Sequence, residues 1–115
     1  AKPFQGLFGG FIFSHIARED WKSFFADCLS QLNIGATLIF LDNRYVKGSS
    51  TPISRTDKQS NTFQNRSLAS GEVFEVRKNF PSETELKQVL ANEVSDWEWK
   101  EWEYYWLLKC SKGLL

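Results

Sequence analysis

The chain has no excess of either charge. Its 115 residues hold 14 basic and 14 acidic side chains, for a formal net charge of zero. A dedicated nucleic-acid binder usually carries a marked basic surplus, so no nucleic-acid partner is expected. Cysteine is scarce: Cys28 and Cys110 are the only two. Two thiols without close spacing make neither a disulfide framework nor a metal cluster, which points to a reduced, cytoplasmic chain with no bound metal. No apolar run reaches the roughly 20 residues of a membrane helix. No charged segment leads into an apolar stretch and a cleavage site, so no secretory signal and no membrane partner are expected. Histidine occurs once, at His15. No Ser-His-Asp or Cys-His arrangement, metal-ligand spacing or phosphate loop stands out, and no G-x-G-x-G occurs anywhere.

Aromatic residues are plentiful at 16%, with ten Phe and five Trp. A core can therefore be built from few, large side chains. The length suits one domain, 1–115. It opens on Phe4-Gln5-Gly6-Leu7-Phe8-Gly9-Gly10-Phe11-Ile12-Phe13, a nearly unbroken apolar run that ends in Ser14-His15. A half-buried strand would alternate; this pattern predicts a strand covered on both faces. Ligands in such folds sit just past the strands' carboxyl ends, which singles out Ser14 and His15. Apolar residues at Trp21, Phe24, Phe25, Cys28, Leu29 and Leu32 step by three and four, the spacing of an amphipathic helix. Glu19 and Asp20 suit its N-terminal end and Gly35 its stop, and Cys28 falls on the apolar stripe as a core residue. Ala36–Leu41 is a second apolar run ending in Asp42-Asn43-Arg44, and strand, helix, strand together read as a βαβ unit.

From 47 to 65 the composition turns to Gly, Ser, Thr, Asn, Gln and Arg around Pro52. This predicts a long polar loop, either a functional lid or a locally disordered segment. Its Arg55 and Lys58, with the nearby Arg66, are candidates for a substrate lid or are simply solvated. Glu72–Arg77 alternates as a half-exposed strand. Ser82-Glu83-Thr84-Glu85 is a capping box, followed by the helical stripe Leu86, Val89 and Leu90. The tail from Asp96 to Cys110 is strand-like, with a hairpin or bulge expected between Trp99 and Trp102 where the alternation slips. Its aromatic residues could stack bases or sugars. The interleaved Glu98, Glu101 and Glu103 favour core packing or an interface.

This order of elements resembles the C-terminal half of a class I S-adenosylmethionine-dependent methyltransferase of the small-molecule type. Phe11–Ile16 is similar to that family's fourth strand. Phe24–Leu32 with Gly35–Asp42 is similar to its helix D and fifth strand, although Asn33-Ile34-Gly35-Ala36 replaces the usual L-x-P-G-G. Arg66–Phe74 with Phe80–Leu86 looks like the approach to the last helix, and Tyr104–Leu108 like the final strand. The resemblance implies an α/β fold: a three-layer, partial Rossmann-like methyltransferase sheet with strands equivalent to 4-5-7-6, the last strand antiparallel. It implies S-adenosylmethionine as cofactor, with Phe13, Ser14 and His15 beside its methionine part. His15 would be the catalytic candidate, lining the pocket or moving a proton; the plainer reading is a polar strand end that caps the helix. Asp42, Asn43 and Arg44 lie on the same rim. Arg44 could grip a carboxylate or phosphate of the substrate, or the three could simply form a turn.

The glycine-rich turn and the ribose-binding acid of that family have no counterpart here. The chain alone is therefore expected neither to hold the cofactor nor to transfer a methyl group. An uncovered opening strand would present an apolar edge. That predicts a homo-oligomer such as a dimer, or a complementary half, associating through the strand around Phe4–Phe13. A non-catalytic module for oligomerisation, partner binding or small-molecule binding is the alternative.

Overall fold

In the computed structural model, which describes residues 2–113, the opening run forms strand β1 (Phe4–Gly10). It is shorter than the sequence predicts. Phe11 takes a left-handed φ of 58°, which breaks the strand and turns Phe13–His15 into a short 3-10 turn. Helix α1 (Trp21–Ser30) follows, then the long strand β2 (Leu32–Asn43). Gly35 does not stop the helix. The chain enters β2 directly after α1, and Gly35, at φ 84°, sits where β2 bulges against β1 between the Phe4–Leu32 and Gly6–Thr37 pairs. A left-handed backbone costs glycine little, which is why the bulge falls there.

Strands β3 (Ile53–Thr56), β4 (Thr62–Ser67) and β5 (Val73–Arg77) form a separate antiparallel sheet in the order β3-β4-β5. The polar stretch expected as a loop over 47–65 is thus partly strand: its backbone pairs although its side chains are mostly polar. Helix α2 (Glu83–Leu90) opens on the predicted capping box: Ser82 Oγ accepts from Glu85 N, and Glu85 Oε1 accepts from Ser82 N. The tail folds as the hairpin of β6 (Val94–Glu101) and β7 (Tyr105–Lys112), turning at 102–104.

The main sheet runs β1-β2-β7-β6. β1 and β2 are parallel, while β7 is antiparallel to both β2 and β6. In family terms this is the order 4-5-7-6 with its reversed last strand, as expected. Alternation along β2 and β7 sends Ala36, Leu38, Phe40, Trp106, Leu108 and Cys110 into one buried core with Trp21, Phe25 and Leu29 of α1 and Leu86 and Leu90 of α2. Both helices therefore cover the same face. Gly9 of β1 allows the closest approach: a Cβ there would meet the Phe40 ring at 2.7 Å.

The opposite face carries Phe8 beside Ile39, and Leu41 between Gly10 and Leu107. Of these Phe8 is 67% exposed. The expectation of a strand covered on both faces is accordingly corrected. Among the described residues β1 pairs only with β2, and both described helices pack on the other face. Two of the three expected layers are supplied here.

Candidate functional site

The carboxyl ends of β1 and β2 meet the small sheet, and hydrogen bonds from side chains far apart in sequence tie them together. Asp42, fully buried at the end of β2, accepts from Ser14 N at 2.9 Å and lies 3.3 Å from Lys78 Nζ. Lys78 Nζ also donates to Asn43 Oδ1 at 2.9 Å. A buried carboxylate needs such a partner, because desolvating an unpaired charge is far costlier than pairing it. Asp42 is thus committed to holding the rim together.

Beside this pair runs a clasp of amides. Asn79, fully buried, accepts from Thr62 N through Oδ1, and its Nδ2 donates to Ile16 O and to Asn61 Oδ1. Asn61, also fully buried, accepts from Arg18 N and donates to Glu19 and Asp57. The Asn61 amide holds the Glu19 carboxyl below its usual range. A lowered carboxyl stabilises the fold above the unfolded-state value, and that contribution is lost as pH falls through the lowered one. Asn79→Ala should lower the unfolding free energy by about 2–3 kcal/mol, because it strands Thr62 N without its acceptor and leaves Ile16 O with only the Trp21 Nε1 donor. Urea denaturation measures this, and a change below about 0.5 kcal/mol would mean the clasp is dispensable.

The sequence-predicted residues separate into different roles. Phe13 is wholly buried among aromatic rings and offers no surface to a ligand. Ser14 is buried too; its backbone N–H serves Asp42, its carbonyl accepts from Asn79 N, and its Oγ has no partner among the described residues. His15 is exposed. Its Nδ1 lies 2.9 Å from Arg77 O, so Nδ1 must carry the proton and donate; Arg77 in turn donates to His15 O. His15 thus fastens the turn to β5 and does not cap α1. Arg44 is drawn to the β6–β7 hairpin, donating to Trp102 O at 2.7 Å and lying 3.7 Å from Glu101.

The structure adds what the sequence reading missed, a pocket of about 300 Å³ between the two sheets. Asn43, Arg44, Arg66, Lys78, Tyr104 and Tyr105 are among the residues that line it. Asn43, Arg44 and Arg66 carried a sequence signal, and Tyr104 and Tyr105 belong to the aromatic tail weighed for stacking against core packing or an interface; Lys78 carried none. Phe13, Ser14 and His15 lie outside it.

The residues present do not by themselves make a cradle for S-adenosylmethionine. The glycines with positive φ, Gly35, Gly48 and Gly71, lie in a bulge and in turns, and none opens a helix. Asp42 is already satisfied. Among the described residues no group of three or more His, Cys, Asp or Glu could hold a metal, and no helix is long and apolar enough to cross a membrane.

No protein-family model and no curated protein matches the sequence. Solved structures do. DhpI in complex with SAH superposes on 100% of this chain with a TM-score of 0.70 at 19% identity, through 52% of its own length. The PH0226 protein of Pyrococcus horikoshii OT3 covers 97% of the chain at TM-score 0.71 and 15% identity, through 56% of its length. A Listeria monocytogenes protein assigned as an S-adenosylmethionine-dependent methyltransferase covers 96% at TM-score 0.59 and 10% identity, through 62% of its length. The chain spans little more than half of the proteins it matches, and it has a mixed α/β, methyltransferase-like fold.

Proposed function

We propose that this chain is the C-terminal half of an S-adenosylmethionine-dependent methyltransferase-like protein and works only when the rest of that fold is supplied. The observation that carries this reading is the sheet. A parallel β1-β2 pair, continued by an antiparallel β7 inserted before β6, matches half of a SAH-bound protein along the whole of this chain. The free edge of β1 and the apolar face around Phe8, Ile39, Leu41 and Leu107 are where the completing half would dock. Paired backbone and buried apolar area there would relieve an edge that otherwise invites aggregation. In the completed protein Ser14 and His15 lie toward the cofactor, while Asn43 and Arg44 lie toward the methyl acceptor. The missing half supplies the glycine-rich turn and the ribose contact, which is why the chain alone transfers nothing.

Calorimetry with S-adenosylmethionine on this chain alone is the test. No saturable heat is expected; tight binding would overturn the claim that the site is incomplete. Light scattering tests the docking face. Self-association of the isolated chain is the expected result, with two copies sharing the free edge in place of the completing half, and a stable monomer at micromolar concentration would count against it.

A further inference from the structure

Three cations, Arg44, Arg66 and Lys78, face the pocket between the sheets, and no carboxylate is among the residues that line it. Two of the three have partners. Lys78 is paired with Asp42 behind the wall, and Arg44 is bonded to the hairpin carbonyl of Trp102 with Glu101 at 3.7 Å. Arg66 differs. The guanidinium groups of Arg18, Arg44 and Arg55 each face a carboxylate and that of Arg77 donates to the backbone carbonyl of His15, whereas Arg66 has no partner among the described residues. It sits on β4 opposite Phe74 of β5, beside a concave site that Tyr104 and Tyr105 also line; the Ser50 hydroxyl there already accepts from Val46 N and lies 3.5 Å from Arg44 O.

A guanidinium with its fork free pairs well with a planar carboxylate or a phosphoryl group, through two parallel charge-assisted hydrogen bonds. Hydroxyl donors fill an oxyanion's remaining lone pairs. The Tyr104 and Tyr105 rings add apolar surface for the rest of a small molecule. Of the three cations that line the pocket, Arg66 is thus the one without a carboxylate partner among the described residues.

We infer that this pocket takes a small organic acid, a molecule with a carboxylate or phosphoryl group on an apolar body, and that Arg66 is its main charge partner. As a methyl-acceptor site the pocket rests on the function proposed above. As an acid-binding site it does not.

The test is a titration of the full chain followed by amide NMR at fixed ionic strength, with benzoate and phenyl phosphate as acids and benzyl alcohol as the neutral control. Saturable shifts are expected at Ser49–Thr51, Arg66 and Tyr104–Tyr105 for the acids only. Arg66→Gln should weaken binding about tenfold or more, since a hydrogen bond to a charged group is lost. Lys58→Gln, which removes an exposed charge from the same small sheet's β3–β4 turn, should leave binding unchanged. Whichever acid binds more tightly identifies the preferred head group. Benzyl alcohol binding as well as the acids, shifts elsewhere, no acid binding, or equal loss in both variants would each overturn the inference. Neither the probes nor the readout uses S-adenosylmethionine. A chain that binds acids but never supports methyl transfer would keep this pocket and lose only the proposed function.

Discussion

Replacing Phe13 with alanine is expected to cost about 3–5 kcal/mol of stability, the range for emptying a buried aromatic site. The reason lies in its neighbours. The Phe13 ring is wholly buried, with centroids 5.1 Å from Trp21, 5.4 Å from Phe25, 6.0 Å from Trp106 and 6.1 Å from Phe40. One side chain from the 3-10 turn thus touches α1, β2 and β7. Those rings are held by other contacts and can fill the void only in part. Phe13→Leu, which keeps much of the volume, should cost markedly less. Because native domains hold a margin of only about 5–15 kcal/mol, the alanine variant should unfold early in urea. Near-ultraviolet circular dichroism should also report it, since Trp21 and Trp106 both pack on the lost ring. The effect would reach the rim, because Ser14 and His15 follow directly and carry the contacts to Asp42, Asn79 and Arg77. A loss below about 1 kcal/mol would mean that Phe13 does not organise the core.

What the sequence conveyed well was apolar spacing. The three-and-four steps from Trp21 to Leu29 and the continuous run from Ala36 to Leu41 fold as α1 and β2, and both face one core. The capping box before α2 was equally readable, since Ser82 and Glu85 satisfy each other locally. The strand order came from resemblance, because pairing between β2 and β7 is non-local and no local pattern in either segment says which strand it pairs with.

The failures share a cause. Where polar groups do the binding, hydrophobic pattern is silent. β3 and β4 have few apolar residues, and their sheet is anchored by Asn61 and Asn79, whose partners include backbone groups on distant segments. Nothing in a polar, glycine-containing stretch distinguishes such a clasp from a solvated loop. The opening strand failed differently. Its apolar run is continuous, but Phe11 turns left-handed, so Phe13 belongs to the core while Phe8 is left outside. The candidate site was only partly legible for the same reason. Arg44 and Asp42 could be found at a strand end, but Lys78 comes from beyond β5, and nothing local marks it as Asp42's partner.

That partnership carries the second large effect. Asp42→Ala is expected to destabilise the fold by about 3–5 kcal/mol, the cost of leaving one member of a buried ion pair without the other. Lys78 is 6% exposed and Asp42 fully buried, so water cannot readily replace the carboxylate. Asn43 Oδ1 remains 2.9 Å from Nζ, but a neutral amide oxygen offsets only part of the loss. Ser14 N would also lose its acceptor, loosening the turn that carries His15. The pair itself need not be a net source of stability, since desolvation cancels much of its attraction. The informative variant is therefore the double one. Asp42→Asn with Lys78→Met removes both charges, and the introduced amide oxygen can still accept from Ser14 N. It should recover most of the stability that Asp42→Ala loses, and the coupling in the cycle of Asp42→Asn and Lys78→Met should exceed about 1 kcal/mol. If Asp42→Asn alone were as stable as the double variant, the carboxylate would be acting through shape and the Ser14 contact, not through Lys78. Denaturant unfolding of these variants beside the parent chain decides between the two, and it does so without any assumption about what the rim binds.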